Sequence, residues 1–226
     1  MPGKKRTNGT AQAWEQAKKT VADNSEALST LDSHAAIYAW AKENGMATKI
    51  LFPKFKTELI KQLSINYDDL REQAYTQRRD QIAAAAADGP LIELFTAAED
   101  EVGSYAICGP DGAIVTYGEF HENDRTYHHG DQDSADRSVA EFALFIAGQA
   151  REEANATAAR LRLHVLNHEV AADDPVLVRA ALRGHIDLTI DIDQDSPALE
   201  WCRENGYKTW RETRLTTLFA DEAVAG

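Results

Sequence analysis

The sequence predicts an α/β chain: a small all-α module over residues 1–90, then a domain over residues 91–226 in which three antiparallel strands precede alternating helices and strands. Three observations predict it. In the first part, apolar residues at helical spacing are broken by capping and turn residues. A Pro110-Asp111-Gly112 turn between two apolar runs marks a hairpin. From Ser134 onward, helical and strand-like segments succeed one another.

At 226 residues the chain is long enough for one large domain or two small ones, each with its own core. Its net charge of −13 is unevenly placed. Residues 1–90 carry 13 Lys/Arg against 11 Asp/Glu, and the remainder carries 11 against 26. The acidic part does not by itself attract a phosphate backbone, so a nucleic-acid partner needs either the N-terminal part or divalent metal. No apolar run approaches the roughly 20 residues of a membrane span, and Met1 to Arg6 is followed by no hydrophobic signal core. The expectation is a cytoplasmic chain with no membrane partner. Cys108 and Cys202 lie in no C-x-x-C and read as small buried hydrophobes.

Residues 1–10, basic and rich in small polar residues, predict a tail without regular structure. Ala11–Ala22 reads as a helix, ended at Asp23-Asn24-Ser25. Asp32-Ser33 caps a second helix from His34, which stops at Asn44-Gly45. A connector with Lys49, Lys54 and Lys56 among Ile50, Leu51, Phe52 and Phe55 leads into a helix from Thr57 to Leu63. Together with Lys42 and Lys61, these lysines resemble the basic face of a small helical nucleic-acid-binding module; equally, they fit a solvated face on a docking domain. A long helix over Asp68–Ala87 breaks at Asp88-Gly89-Pro90, the expected domain boundary.

Leu91–Asp100 reads as a strand or a half-buried helix. Tyr105–Cys108 and Ala113–Phe120 flank the hairpin turn, and Arg125–His128 reads as a third strand. Ala135–Ala150 is helical: Val139, Phe142, Phe145 and Ile146 share a face, with Ala143, Ala147 and Ala150 forming a close-packing side. Glu141 lies beside that face, where a carboxylate either snorkels out or is held for chemistry. Leu161–Val165 is a strand, Pro175–Gly184 a helix, Ile186–Ile192 a strand, and Ser196–Gly206 the closing helix.

The string from Val139 to Ala150, Val-Ala-Glu-Phe-Ala-Leu-Phe-Ile-Ala-Gly-Gln-Ala, resembles the first helix of bacterial ribonuclease H type I proteins. The element order β-β-β-α-β-α-β-α is that family's as well. The resemblance implies a mixed five-stranded sheet with flanking helices and a hydrolase that cuts RNA in RNA–DNA hybrids. It implies a pair of Mg or Mn ions, which activate water and stabilise the leaving oxygen, held by four acids. Those acids belong on the first strand, the first helix, just after the fourth strand and on the last helix. Glu141 fills the helix position.

Elsewhere the sequence departs from the pattern. Tyr105–Cys108 holds no acid, and Asp111 lies in the hairpin turn. His168 stands where an Asp is expected after the fourth strand, and Leu199 stands at the last position. Asp191, Asp193 and Asp195 alternate at the end of the last strand, as substitute ligands or as a solvated edge. Two readings follow. In the first, the domain has lost the full site and serves binding or assembly, with Glu141 paired to a basic group or facing water. In the second, a rearranged nuclease gathers Glu141, Asp111, His168, Asp193 and Asp195, with Glu141, Asp193 and Asp195 on metal.

The histidine- and aspartate-rich segment 121–133 matches no zinc or calcium spacing and reads as a hairpin rim able to respond to pH. Asp195 to Tyr207 also resembles the closing helix of N-acetyltransferases, without the glycine-rich pyrophosphate loop that family needs. The acidic surface suits a basic protein partner or self-association, especially if Trp210 lies on a flat patch.

Overall fold

The computed structural model describes residues 8–220. Contacts divide the chain into a unit up to Arg78 and a unit from Arg79 onward. The division falls inside a helix, ahead of the Asp88-Gly89-Pro90 break. The expected N-terminal tail lies mostly outside the described residues, and from Asn8 the chain is already helical.

Among the described residues of the first unit every regular element is a helix: α1 (Asn8–Asp23), α2 (Ser25–Ser29), α3 (His34–Glu43), α4 (Phe52–Leu63) and the start of α5 (Tyr67–Ala86). Sequence reading missed α2. It also began α4 at Thr57 rather than Phe52, leaving Pro53 in the connector. At the first turn proline is tolerated, since its absent N–H would have no intrahelical acceptor there. Ser33 caps α3 as expected, its hydroxyl accepting from the Ala36 N–H at 3.3 Å. Phe55, Leu59, Ile37, Leu28 and Val21 are fully buried and form the core, with Trp40 stacked on Phe55 at 5.7 Å.

The second unit is built on a five-stranded mixed sheet in the order β3-β2-β1-β4-β5. Its strands are β1 (Leu91–Glu99), β2 (Ser104–Cys108), β3 (Ile114–Glu119), β4 (Ala159–Val165) and β5 (Ile186–Ile192). β1 is central, antiparallel to β2 and parallel to β4, and β4 is parallel to β5. Leu91–Asp100, left open between strand and helix by the sequence, is thus the strand on which the sheet is centred. Ile92 and Leu94 alternate with Glu93 and Phe95, burying one face against helices.

Arg125–His128 is not a strand. Asp124 Oδ1 accepts from the N–H groups of Thr126 and Tyr127 at 2.8 and 2.9 Å, so a local turn takes the donors a ladder would need. In the hairpin, Gly112 takes φ +75° and donates to the Gly109 carbonyl, closing the turn the sequence predicted.

α6 (Gln132–Glu153) and α7 (Pro175–Gly184) share one sheet face. There Leu144, Ile146, Leu177 and Ala147 pack on Ile92, Leu94, Leu161 and Leu163. The two helices meet without side chains between them: a Cβ on Gly148 would lie 3.2 Å from the Gly184 Cα. The opposite face is covered over β1 and β2 by α8 (Ala198–Trp201) through Ala198 and Cys202. The closing helix is therefore one turn, shorter than Ser196–Gly206. The Cys202 carbonyl is taken by the Ser104 hydroxyl at 2.7 Å, and Gly206 adopts φ +98°. Both cysteines are buried, which pushes each thiol up to about 12. The outer edge of β3 pairs with Lys208 in two backbone hydrogen bonds to Tyr117.

Candidate functional site

In open α/β sheets, sites form outside the carboxyl ends of parallel strands. Here the ends of β1 and β4 meet the first turns of α6. Asp131 caps that helix, its Oδ1 accepting from the Ser134 N–H at 3.2 Å. The next residue, Gln132, is tied to β1 on both sides of its amide: Nε2 donates to the Ala98 carbonyl at 3.0 Å, and Oε1 accepts from the Asp100 N–H at 3.3 Å. One turn on, Asp136 points inward and is only 5% exposed.

Asp136 Oδ2 accepts from Gln132 Nε2 at 2.9 Å and from Asn167 Nδ2 at 3.1 Å. Asn167, two residues beyond β4, also donates to Asp133 Oδ1 at 2.8 Å. Its amide therefore bridges two carboxylates. Burial pushes the Asp136 carboxyl above the ordinary range, Gln132 and Asn167 pull it down, and the charges of Asp133 and Asp100 add to the rise. At the end of β1, Glu99 is held by Arg203 at 2.9 Å.

The sites anticipated from sequence fall elsewhere. Glu141 is on another side of α6, with Oε1 accepting from Arg183 at 3.1 Å and Oε2 from the Thr126 hydroxyl at 2.8 Å. Asp111 accepts from the Ala113 N–H within its turn, at 3.0 Å. That turn extends from the Phe95–Cys108 pair, whereas the end of β1 is paired as Glu99 with Ser104. His168 is exposed and lies 3.1 Å from Glu169. Asp193 turns onto its own loop, accepting from the Asp195 N–H at 3.0 Å, and Asp195 is exposed.

The residues do not fit a Mg or Mn pair. The Glu141 carboxylate faces a guanidinium, the inward carboxylate faces amide donors, and among the described residues no three His, Cys, Asp or Glu side chains are grouped to hold a metal ion. Sequence reasoning missed Asp136, Gln132 and Asn167. The available signal was periodicity, since Asp136 lies one and two turns before Val139, Ala140, Ala143 and Leu144, which are all buried.

Within segment 121–133, Asp124 is the organising acid. Burial raises its carboxyl, but hydrogen bonds from the Tyr127 N–H, the Ser138 hydroxyl and the Thr126 N–H outweigh that and hold it below the ordinary range. His129 Nδ1 lies 3.1 Å from the Tyr127 hydroxyl. The segment is a loop tied to α6 rather than a hairpin rim.

In the first unit, Lys54 and Lys61 lie over the ring of Trp14 at 5.6 and 5.3 Å, and Lys61 pairs with Glu58 at 3.4 Å. Lys56 is bound to Asp68 at 2.6 Å and lies over Tyr67. Lys42 and Lys49 are exposed, as are Tyr38 and Ile50. Trp210 in the second unit is half-buried and meets Phe145 edge to face at 5.6 Å.

The fold and this junction define an α/β chain with an amide-bridged polar centre at the carboxyl ends of its parallel strands. No helix among the described residues is long and apolar enough to cross a membrane. Comparison with models of known protein families, with curated proteins and with solved structures gave no match to this chain.

Proposed function

We propose that this chain is a nucleic-acid-associated protein whose second unit is a ribonuclease H-like domain that lacks the two-metal centre and serves binding or assembly. The observation that carries the reading is the Glu141–Arg183 pair: the carboxylate at the position where the resemblance asks for a metal ligand accepts from a guanidinium at 3.1 Å, and a carboxylate so neutralised is a poor metal ligand. The neighbouring inward carboxylate, Asp136, is likewise taken by amide donors, Gln132 and Asn167. The order of elements and the motif around Glu141 support the family assignment.

Contact with nucleic acid falls to the first unit, where Lys54 and Lys61 lie over the ring of Trp14 and where Lys42, Lys49 and Tyr38 are also exposed. Lysines interleaved with aromatic rings suit phosphates and unstacked bases. The test is anisotropy of a labelled RNA–DNA hybrid and of single strands, followed by gel analysis with Mg²⁺ or Mn²⁺. Binding is expected without cleavage, and Lys54→Ala with Lys61→Ala should lower the salt slope by about 2. Absence of binding overturns the reading. Metal-dependent cleavage that disappears in Glu141→Gln replaces it with the nuclease.

A further inference from the structure

One exposed ring on the first unit is approached by ammonium groups of another helix. Trp14 projects from α1 with 37% of its surface exposed, and Lys54 and Lys61 of α4 lie over its ring at 5.6 and 5.3 Å. The two lysines are seven residues apart, about 10 Å along the axis, so they leave α4 on one face. The two helices are tied together there, because Gln62 Nε2 donates to the Lys18 carbonyl at 3.2 Å and to Glu58 Oε2 at 2.8 Å. Lys18 is itself exposed and lies one turn beyond Trp14 on the same side of α1.

The positive charge around the ring is only partly cancelled. Glu58 takes Lys61 at 3.4 Å, whereas Lys54 donates to a neutral group, the Ile50 carbonyl, at 3.0 Å. Among the described residues neither Lys54 nor Lys18 is in an ion pair. Glu15 stands about 100° farther round α1. An ammonium on a flexible four-carbon stem leaves the ring for a phosphate without any movement of the backbone. The indole stays where the helix holds it, and stacking on it needs a ligand with an open π-face. In a duplex each base is covered on both faces by its neighbours, so only phosphates come within reach. An unpaired strand offers phosphates and open base faces together.

We propose that the Trp14 face binds unpaired nucleic acid in preference to duplex, one base stacking on the indole while Lys54, Lys61 and Lys18 take phosphates beside it. The proposal rests on the nucleic-acid reading above and names the form of the polymer that this surface fits. RNA and DNA share the base face and the phosphate, so the arms of the test separate the two.

The test is fluorescence anisotropy of the full chain with labelled oligo-dU and oligo-U of about 12 nucleotides. A deoxyribose-phosphate strand of equal length without bases and an RNA–DNA hybrid of equal length are the comparisons. The two unpaired strands are expected to bind about tenfold more tightly than either comparison. Trp14→Leu should weaken them about tenfold and leave the baseless strand unchanged, and Trp14→Phe should retain most of the affinity. The comparison among probes uses the parent chain, so it holds whether or not a variant folds. Tighter binding of one unpaired strand than the other supports the proposal and says whether DNA or RNA is the source. Equal binding of the baseless strand or of the hybrid, or full affinity in Trp14→Leu, overturns the proposal and leaves the nucleic-acid reading standing. No binding of any probe overturns both.

Discussion

Asp136 and Glu141 sit five residues apart on the same helix and live in different surroundings. At 100° per residue they are about 140° apart around the axis. Asp136 therefore faces the strand ends and is buried among amides, and Glu141 faces Thr126 and Arg183 at a half-exposed surface. The difference teaches that helical phase decides which acid of one helix the fold encloses. A buried carboxylate held by neutral donors is a structural hinge point for packing; an exposed one paired with arginine is close to energetically silent.

The comparison breaks most strongly at Asn167. Asn167→Ala removes the amide shared by Asp133 and Asp136, and should destabilise the second unit by about 1–3 kcal/mol in urea unfolding. A change of the size seen for ordinary surface positions would show the bridge to be incidental. Asp136→Asn is expected to act in the other direction and more weakly. Burial raises the folded carboxyl above its unfolded value, so its protonated form favours folding. That contribution is fully present below the ordinary carboxylate range and is lost as pH rises through the raised value. The amide variant keeps an acceptor for Gln132 and Asn167, so its Tm should exceed that of the parent at neutral pH and converge with it in acid; a constant offset at all pH values contradicts this. Glu141→Gln sharpens the contrast from below. Its pair with Arg183 is largely solvated, so its effect should stay within about 1 kcal/mol and shrink further in salt.

Much of the architecture was readable because each element carried its own period or punctuation. Pro175–Gly184 and Ile186–Ile192 were legible to the residue. Their boundaries coincide with a proline at the first turn and a chain reversal at His185 in the left-handed region. The central strand was ambiguous because it is buried on one face and partly covered on the other. Ala97 and Ala98 then blur the alternation that Ile92, Glu93, Leu94 and Phe95 begin. Arg125–His128 was misread because its extended-looking residues are ordered by a side chain upstream, Asp124, whose hydrogen bonds no periodicity reveals. The polar junction was hidden for a related reason. Gln132, Asp136 and Asn167 come from two segments far apart in sequence, and only the parallel pairing of β1 with β4 brings them together.

The contact between Gly148 and Gly184 bears on kinetics. Two backbones in van der Waals contact leave no rotamers to sort, and sliding α6 along α7 would drive neighbouring side chains into a main chain. The surface beside that contact is thus set in shape. The ordering of that surface is completed when the chain folds.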